Sequence, residues 1–177
     1  MMLGYFIVQG YYFYLLQDYI PIDKYNLQPE NGVLIMTLVS SAGSFLTIIL
    51  GGFISDRTGG RKVYVIAAST CTGMAMLVPR IWPTWPALIL FSALLGIGFG
   101  LYMTVSNAVA TLVLPNLEDN ARDMGIFNIA NSGPIIIAPF ISAFIISSLG
   151  GYHSLFIVAS ILVVMGGIAI VPIRRVI

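Results

Sequence analysis

The side chains able to do chemistry in this sequence are few, and they are of two kinds. The first kind is charged. The stretch Gly52-Phe53-Ile54-Ser55-Asp56-Arg57-Thr58-Gly59-Gly60-Arg61-Lys62 holds four of the chain's eight basic and seven acidic side chains. Asp56 can pair there with Arg57 or Arg61, and both arginines can bind lipid phosphate. A carboxylate close to the start of a following helix is favoured by that helix's dipole. Gly59 and Gly60 permit the tight reversal such a stretch requires, and Gly52 lets a neighbouring helix come close. The second kind is neutral. Gln9, Phe13 and Gln17 recur at i, i+4 and i+8, Asn128, Asn131 and Ser132 at i, i+3 and i+4, and Asn107 stands among small residues. These groups exchange hydrogen bonds and do not break covalent bonds. Cys71 and His153 are each the single residue of their type. They fall near opposite ends of the spans drawn below, so they form neither a nucleophile–base pair nor a metal cluster. No enzyme, no metal site and no cofactor is implied.

What must position these groups is a set of apolar segments. Of 177 residues, 58% are hydrophobic and 8% are charged, with a mean hydropathy of +0.96. A soluble domain carries about 25% charged residues and could not hide this much apolar surface. The composition predicts an all-α polytopic membrane protein with six spans, over about 1–19, 32–55, 63–80, 87–114, 124–148 and 154–173. No basic n-region precedes the first segment, so it reads as a spanning helix rather than a cleavable signal. The charged stretch then becomes a short polar turn between the second and third spans.

The first segment is about the minimum length for a span and is crowded with tyrosine and phenylalanine. An interfacial aromatic belt suits Tyr19 and Tyr5 but not the central rings. The Gln9, Phe13, Gln17 face either lines a cavity or packs on another helix. In the second span, Ser40, Ser41, Gly43 and Ser44 are expected to mark close helix packing. In the fourth, Gly96, Gly98 and Gly100 make the helix thin and pliable. One side of it runs Gly96, Gly100, Thr104, Asn107, Thr111, a packing seam that turns polar. Asn107 is either a cavity residue or an interhelical hydrogen bond. In the fifth span, Pro134 removes a backbone donor and frees the carbonyl of Ala130. A polar, proline-interrupted helix in lipid needs protein or water to satisfy those groups. Its Asn128, Asn131, Ser132 face is the strongest intramembrane candidate, with a packed kink as the alternative. The sixth span is almost purely aliphatic and is expected to face lipid at the periphery.

Basic residues assign the sides. Arg57, Arg61, Lys62, Arg122, Arg174 and Arg175 fall inside, while Lys24 and Arg80 fall outside, with both termini cytoplasmic. The net-negative connection around Glu118 and Asp119 also falls inside, a mild conflict because acids carry little weight in that rule.

The spacing of Gly52, Asp56, Arg57, Gly59, Arg61 and Lys62 closely resembles the loop motif of the major facilitator superfamily. Gly60 departs from it, since a basic residue commonly stands there. Leu114-Pro115, Ala121-Arg122-Asp123, Gly125, Asn128-Ile129-Ala130, Pro134 and Ala138-Pro139 resemble the region from the tenth to the eleventh helix of that family. The nearest likeness is to the bacterial sugar–cation symporter and sucrose transporter branch. The resemblance implies that the whole chain, 1–177, is the C-terminal six-helix half of a twelve-helix fold, with the N-terminal half absent. It implies that the charged turn is a conformational latch, that Gly96, Gly100 and Pro134 are hinges, and that Gln9, Phe13, Gln17, Asn107, Asn128, Asn131 and Ser132 border a substrate cavity. That branch often carries acids near Ser106 and Leu112, and neither position is acidic here. No Asp, Glu, Lys or Arg lies deep in any span, so coupling to a cation would rest on the other half.

The expected function is therefore transport of a small solute across the cell membrane, with a complementary six-helix half or a second copy as partner, and with no nucleic acid involved. The aromatic first segment and the amides suit a neutral hydrogen-bonding solute such as a sugar, and equally an amphipathic drug. A non-transporting scaffold or remnant, and a self-dimerising channel or transporter, are the other readings.

Overall fold

The computed structural model describes residues 1–58, 61–113 and 120–170, without the side chains of 23, 54–58, 61–62, 107–113, 120–121 and 123–124. Gly59, Gly60, the 114–119 connection, Arg174 and Arg175 lie outside the described residues.

The described residues form an all-α protein. The first segment holds α1 (Met2–Gln9), a single turn α2 (Tyr12–Tyr14) and a wide π turn over Leu15–Tyr19, followed by a 3-10 turn at Ile22–Tyr25. The long helices are α3 (Pro29–Thr58), α4 (Arg61–Ile81), α5 (Trp85–Val113) and α6 (Asn120–Ser148), and α7 (Tyr152–Ile168) closes the set. Apolar stretches of 25, 19, 22 and 24 residues in α3 to α6 are long enough to cross a membrane, whereas α7 is shorter at 17 residues. The chain is thus a polytopic membrane protein with four long apolar helices among the described residues.

The first segment is not the one continuous helix that the sequence suggested. Gly10 is still helical, but Tyr11 leaves the helix with φ −111 and ψ 12. Glycine and successive aromatic residues are poor helix formers, and four bulky rings follow Gly10 without interruption. Beyond the break, the Ile20 amide donates to the Leu15 carbonyl at 3.0 Å, a five-residue step that widens the turn. The 3.6-residue register is lost twice, so spacing along this segment no longer reports a common face.

The helices pack in the order α3, α5, α4, α7, α1, α6, each mainly on the next. Small residues draw them together. Gly96 and Gly100 of α5 lie on the backbone of Ser40 and Ser44 of α3, while Gly98 faces Ala68 and Thr72 of α4 on the opposite side. Of the seam expected from Ser40, Ser41, Gly43 and Ser44, three residues pack, with Gly43 against Ala93 and Ile97, while Ser41 is exposed. Serine hydroxyls stitch three pairs. Ser44 donates to the Gly96 carbonyl at 2.9 Å, Ser142 to the Ile7 carbonyl at 3.1 Å and Ser160 to the Gly73 carbonyl at 2.8 Å. Such bonds keep polar groups satisfied away from water.

Two expectations about packing are corrected. The sixth apolar segment does not simply face lipid, because α7 buries Leu155, Phe156, Ala159, Ser160, Val163 and Gly167 against α4 and α1. Its small residues allow this contact, which a count of aliphatic residues cannot show. Tyr5 is not an interfacial anchor either. It is buried and stacks on Phe99 with ring centroids 4.2 Å apart.

Candidate functional site

A cavity of about 400 Å³ opens between the first segment, α3 and α5. The first segment contributes Tyr5, Phe6 and Gln9, and α5 contributes Phe99. From α3 come Thr37, Ser40, Ser41, Ser44, Phe45 and Ile48, at i, i+3, i+4, i+7, i+8 and i+11, one helical stripe. The volume lies within the roughly 300–1,000 Å³ typical of small-molecule sites. Among the described residues no Asp, Glu, Lys, Arg or His lines it.

Its polar groups are unequal. The Ser44 hydroxyl is occupied, bonded to the carbonyls of Ser40 and Gly96. Ser40 is buried, and the Tyr5 hydroxyl is directed at it. Gln9 is half-buried, while Thr37 and Ser41 are exposed, so these three present amide and hydroxyl groups to the open space. The rings of Phe6, Phe45 and Phe99 stand among them, Phe45 one turn beyond Ser41 on α3 and Phe6 one turn before Gln9. Phe6 is held edge-on to Tyr5, 5.3 Å between centroids, and Tyr5 in turn is fixed by its stack on Phe99.

Of the residues expected from sequence to border a cavity, Gln9 alone lines this one among the described side chains. Phe13 is exposed beyond the break. Gln17 lines a separate hollow of about 350 Å³ beside Asp18, Pro21 and Pro29. The helical spacing that joined Gln9, Phe13 and Gln17 assumed an unbroken helix. Asn128 and Ser132 are exposed and Asn131 half-exposed on the N-terminal half of α6, with Pro134 inside that helix. That helix packs through Ala138, Ser142 and Ile145, in its C-terminal half. Asn107 lies on α5, and its side chain is outside the described residues. Sequence reasoning missed Thr37, Ser41, Phe6, Phe45 and Phe99. The stripe on α3 was legible in principle, but its serines were assigned to packing, and two of them do pack.

The latch residues fall differently from expectation. The helix α3 runs to Thr58, so Asp56 and Arg57 belong to its last turn rather than to a turn after it. Arg61 and Lys62 begin α4, and Gly52 sits against Thr104 of α5. Gly59, and the side chains of Asp56, Arg57, Arg61 and Lys62, are outside the described residues.

At the far end of the molecule a polar cluster ties the first segment to α7. The Tyr152 hydroxyl donates to Asp18 at 2.9 Å, and the Tyr19 hydroxyl meets His153 Nδ1 at 3.3 Å. Tyr19 also packs against Phe156, which meets Phe91 edge-on in the core. Cys71 is elsewhere, half-buried in an apolar hollow with Met74, Val78 and Leu94. Among the described residues no group of three His, Cys, Asp or Glu could hold a metal ion.

The arrangement is that of a helical membrane protein with a cavity bordered by its helices and lined, among the described residues, by uncharged side chains. The family profile of the Major Facilitator Superfamily matches residues 1–176, and the chain belongs to that family. It is similar to the MFS transporter asaE of Aspergillus flavus, 26% identical over 129 residues, covering 71% of this chain and 28% of that protein. It is similar also to the uncharacterized MFS-type transporter YfiU of Bacillus subtilis, 23% identical over 148 residues, covering 81% of this chain and 28% of that protein. The chain thus spans under a third of the length of these curated relatives. No solved structure matches it.

Proposed function

We propose that this chain is the C-terminal six-helix wall of a secondary transporter in the cell membrane, and that a complementary six-helix unit completes the path for a small solute. The observation that carries this reading is the uneven burial of the long helices. Within their apolar spans α4 and α5 each bury 44% of residues, but α3 and α6 bury only 11% and 17%. These two stand at the ends of the packing order, and polar residues lie on their open surfaces: Thr37 and Ser41 on α3, Asn128 and Ser132 on α6. Amide and hydroxyl groups facing hydrocarbon want a partner or water, so a protein wall across a wet cavity suits them better than lipid. The membership in a transporter family and the length of the relatives support the same reading.

In this reading two walls rock about a midplane site. Gly52, Asp56, Arg57, Gly59, Arg61 and Lys62 act as the conformational latch on the cytoplasmic side, where both termini also lie. Gly96, Gly100 and Pro134 absorb the bending, and Gln9, Asn107, Asn128, Asn131 and Ser132 border the path, with Phe13 and Gln17 toward its outer mouth. Coupling to a proton or cation, as in the sugar–cation symporters, falls to the partner wall.

Solute uptake into proteoliposomes holding both walls is the test, with Asp56→Asn as the variant. Asp56→Asn should change uptake kinetics several-fold while leaving helical content intact, because it removes one charge of the latch. Unchanged kinetics would count against the latch. Uptake by this chain alone, as a homodimer, would replace the complementary unit with a second copy.

A further inference from the structure

We infer that the cavity between the first segment, α3 and α5 selects an uncharged amphipathic solute, one with a flat apolar ring face and hydrogen-bonding groups along one edge, over a bare sugar or an ion. The inference rests on the transport reading only for its purpose; the binding chemistry stands on the cavity itself.

Three observations carry it. The first is charge. Among the described residues no Asp, Glu, Lys, Arg or His lines the cavity. A charged solute leaving water there would find no counter-ion, and desolvation without pairing is the dominant penalty in an apolar setting. The Asp18 carboxylate belongs to the other hollow and is already bonded to Tyr152.

The second is the placement of the polar groups. With Ser44 occupied and Ser40 buried, the open donors and acceptors reduce to the Gln9 amide and the Thr37 and Ser41 hydroxyls. Thr37 and Ser41 are one helical turn apart on α3, so they form one edge rather than a ring of contacts. A free sugar carries hydroxyls around its whole rim. Most of them would lie against Phe6, Phe45, Phe99 and Ile48 with no partner, and each unmet polar group weakens binding. A solute with few polar groups, gathered on one side, can meet Gln9, Thr37 and Ser41 and lay its ring against Phe6 and Phe99.

The third is the wall itself. Phe99 is fixed by its stack on Tyr5, and Phe6 by an edge contact with the same ring. Preformed aromatic faces favour offset or edge contacts with a flat ring at little conformational cost.

The test is binding to the purified chain in nanodiscs. The probes are p-nitrophenyl β-glucoside, free glucose, p-nitrophenyl phosphate and a nitrobenzyl trimethylammonium salt. The glucoside should bind at least about tenfold more tightly than glucose and than either charged probe. Gln9→Leu and Ser41→Ala should each weaken it by about threefold to tenfold, and Phe6→Ala by about tenfold. Ser41 is exposed on α3, so its variant folds even if a change at Phe6 does not. Met74→Ala, outside this cavity, should leave affinity unchanged. Equal or better binding of glucose or of a charged probe, glucoside affinity indifferent to Gln9→Leu and Ser41→Ala, or no glucoside binding at millimolar concentration would each overturn the inference. Selective glucoside binding by a chain that moves no solute when paired with a complementary unit would overturn the transport reading and leave this one standing.

Discussion

Gly96 has no side chain, and the Ser40 carbonyl fills the place that one would take. Backbone cannot yield as a flexible side chain can, so Gly96→Val should push α3 from α5 and cost about 1–3 kcal/mol. Gly133 on α6 has open space where its Cβ would be. Gly133→Ala should be neutral or stabilising by up to about 1 kcal/mol, through better helix propensity. Thermal unfolding of the two variants in detergent checks the contrast, and similar losses for both would contradict the packing described. Tyr12 supplies a second residue-scale prediction. Its ring is buried edge-on to Phe91, and its hydroxyl is directed at Ser92 without forming a hydrogen bond of good geometry. The neighbouring Ser92 gives its proton to the Leu88 carbonyl at 2.8 Å. Removing an unsatisfied hydroxyl while keeping the ring costs little, so Tyr12→Phe should leave the unfolding temperature unchanged or raise it. A clear drop would mean that this hydroxyl is satisfied, through Ser92 or a buried water.

At the scale of elements, the tie between the first segment and α7 has a measurable consequence. Asp18 and Tyr19 end the wide π turn that follows the break at Tyr11, and their contacts to Tyr152 and His153 bridge 134 positions of sequence. Tyr152→Phe should speed amide exchange in the stretch 15–25 several-fold, with a stability change of no more than about 1 kcal/mol because the pair is exposed. Wild-type exchange there would mean that the break is held by the core rings alone. The same segment shows where sequence reading stopped. Six apolar segments could be seen from composition, and the Asp56 motif from its spacing. The break at Gly10–Tyr11 could not, because every face argument presupposed a continuous 3.6-residue turn. For α7, an aliphatic sequence looks the same toward lipid and toward protein. The informative residues were Ala159, Ser160 and Gly167, whose small size lets α4 and α1 approach.

At the scale of the molecule, packing order and burial give the account its direction. Two long helices are mostly uncovered, each with polar groups in a stretch apolar enough to span a bilayer. Only Gln9 of the sequence-chosen cavity residues lines the described cavity, since helix faces can be drawn from one sequence but helix neighbours cannot. The amides of α6 were visible as polar positions, yet what they face depends on a surface this chain does not cover by itself.

The proposed transport role requires α3 and α6 to border water or protein rather than lipid. Single cysteines introduced by Ser41→Cys and Asn131→Cys, in a Cys71→Ala background, would be treated with a membrane-impermeant maleimide in membranes holding both walls. Both positions should react in at least one transport state, with Ser41→Cys slowed by p-nitrophenyl β-glucoside, while Met74→Cys, on an exposed face of α4 away from this cavity that is expected to meet lipid, should not react. Protection of Ser41→Cys and Asn131→Cys in every state, at the level of Met74→Cys, would contradict it.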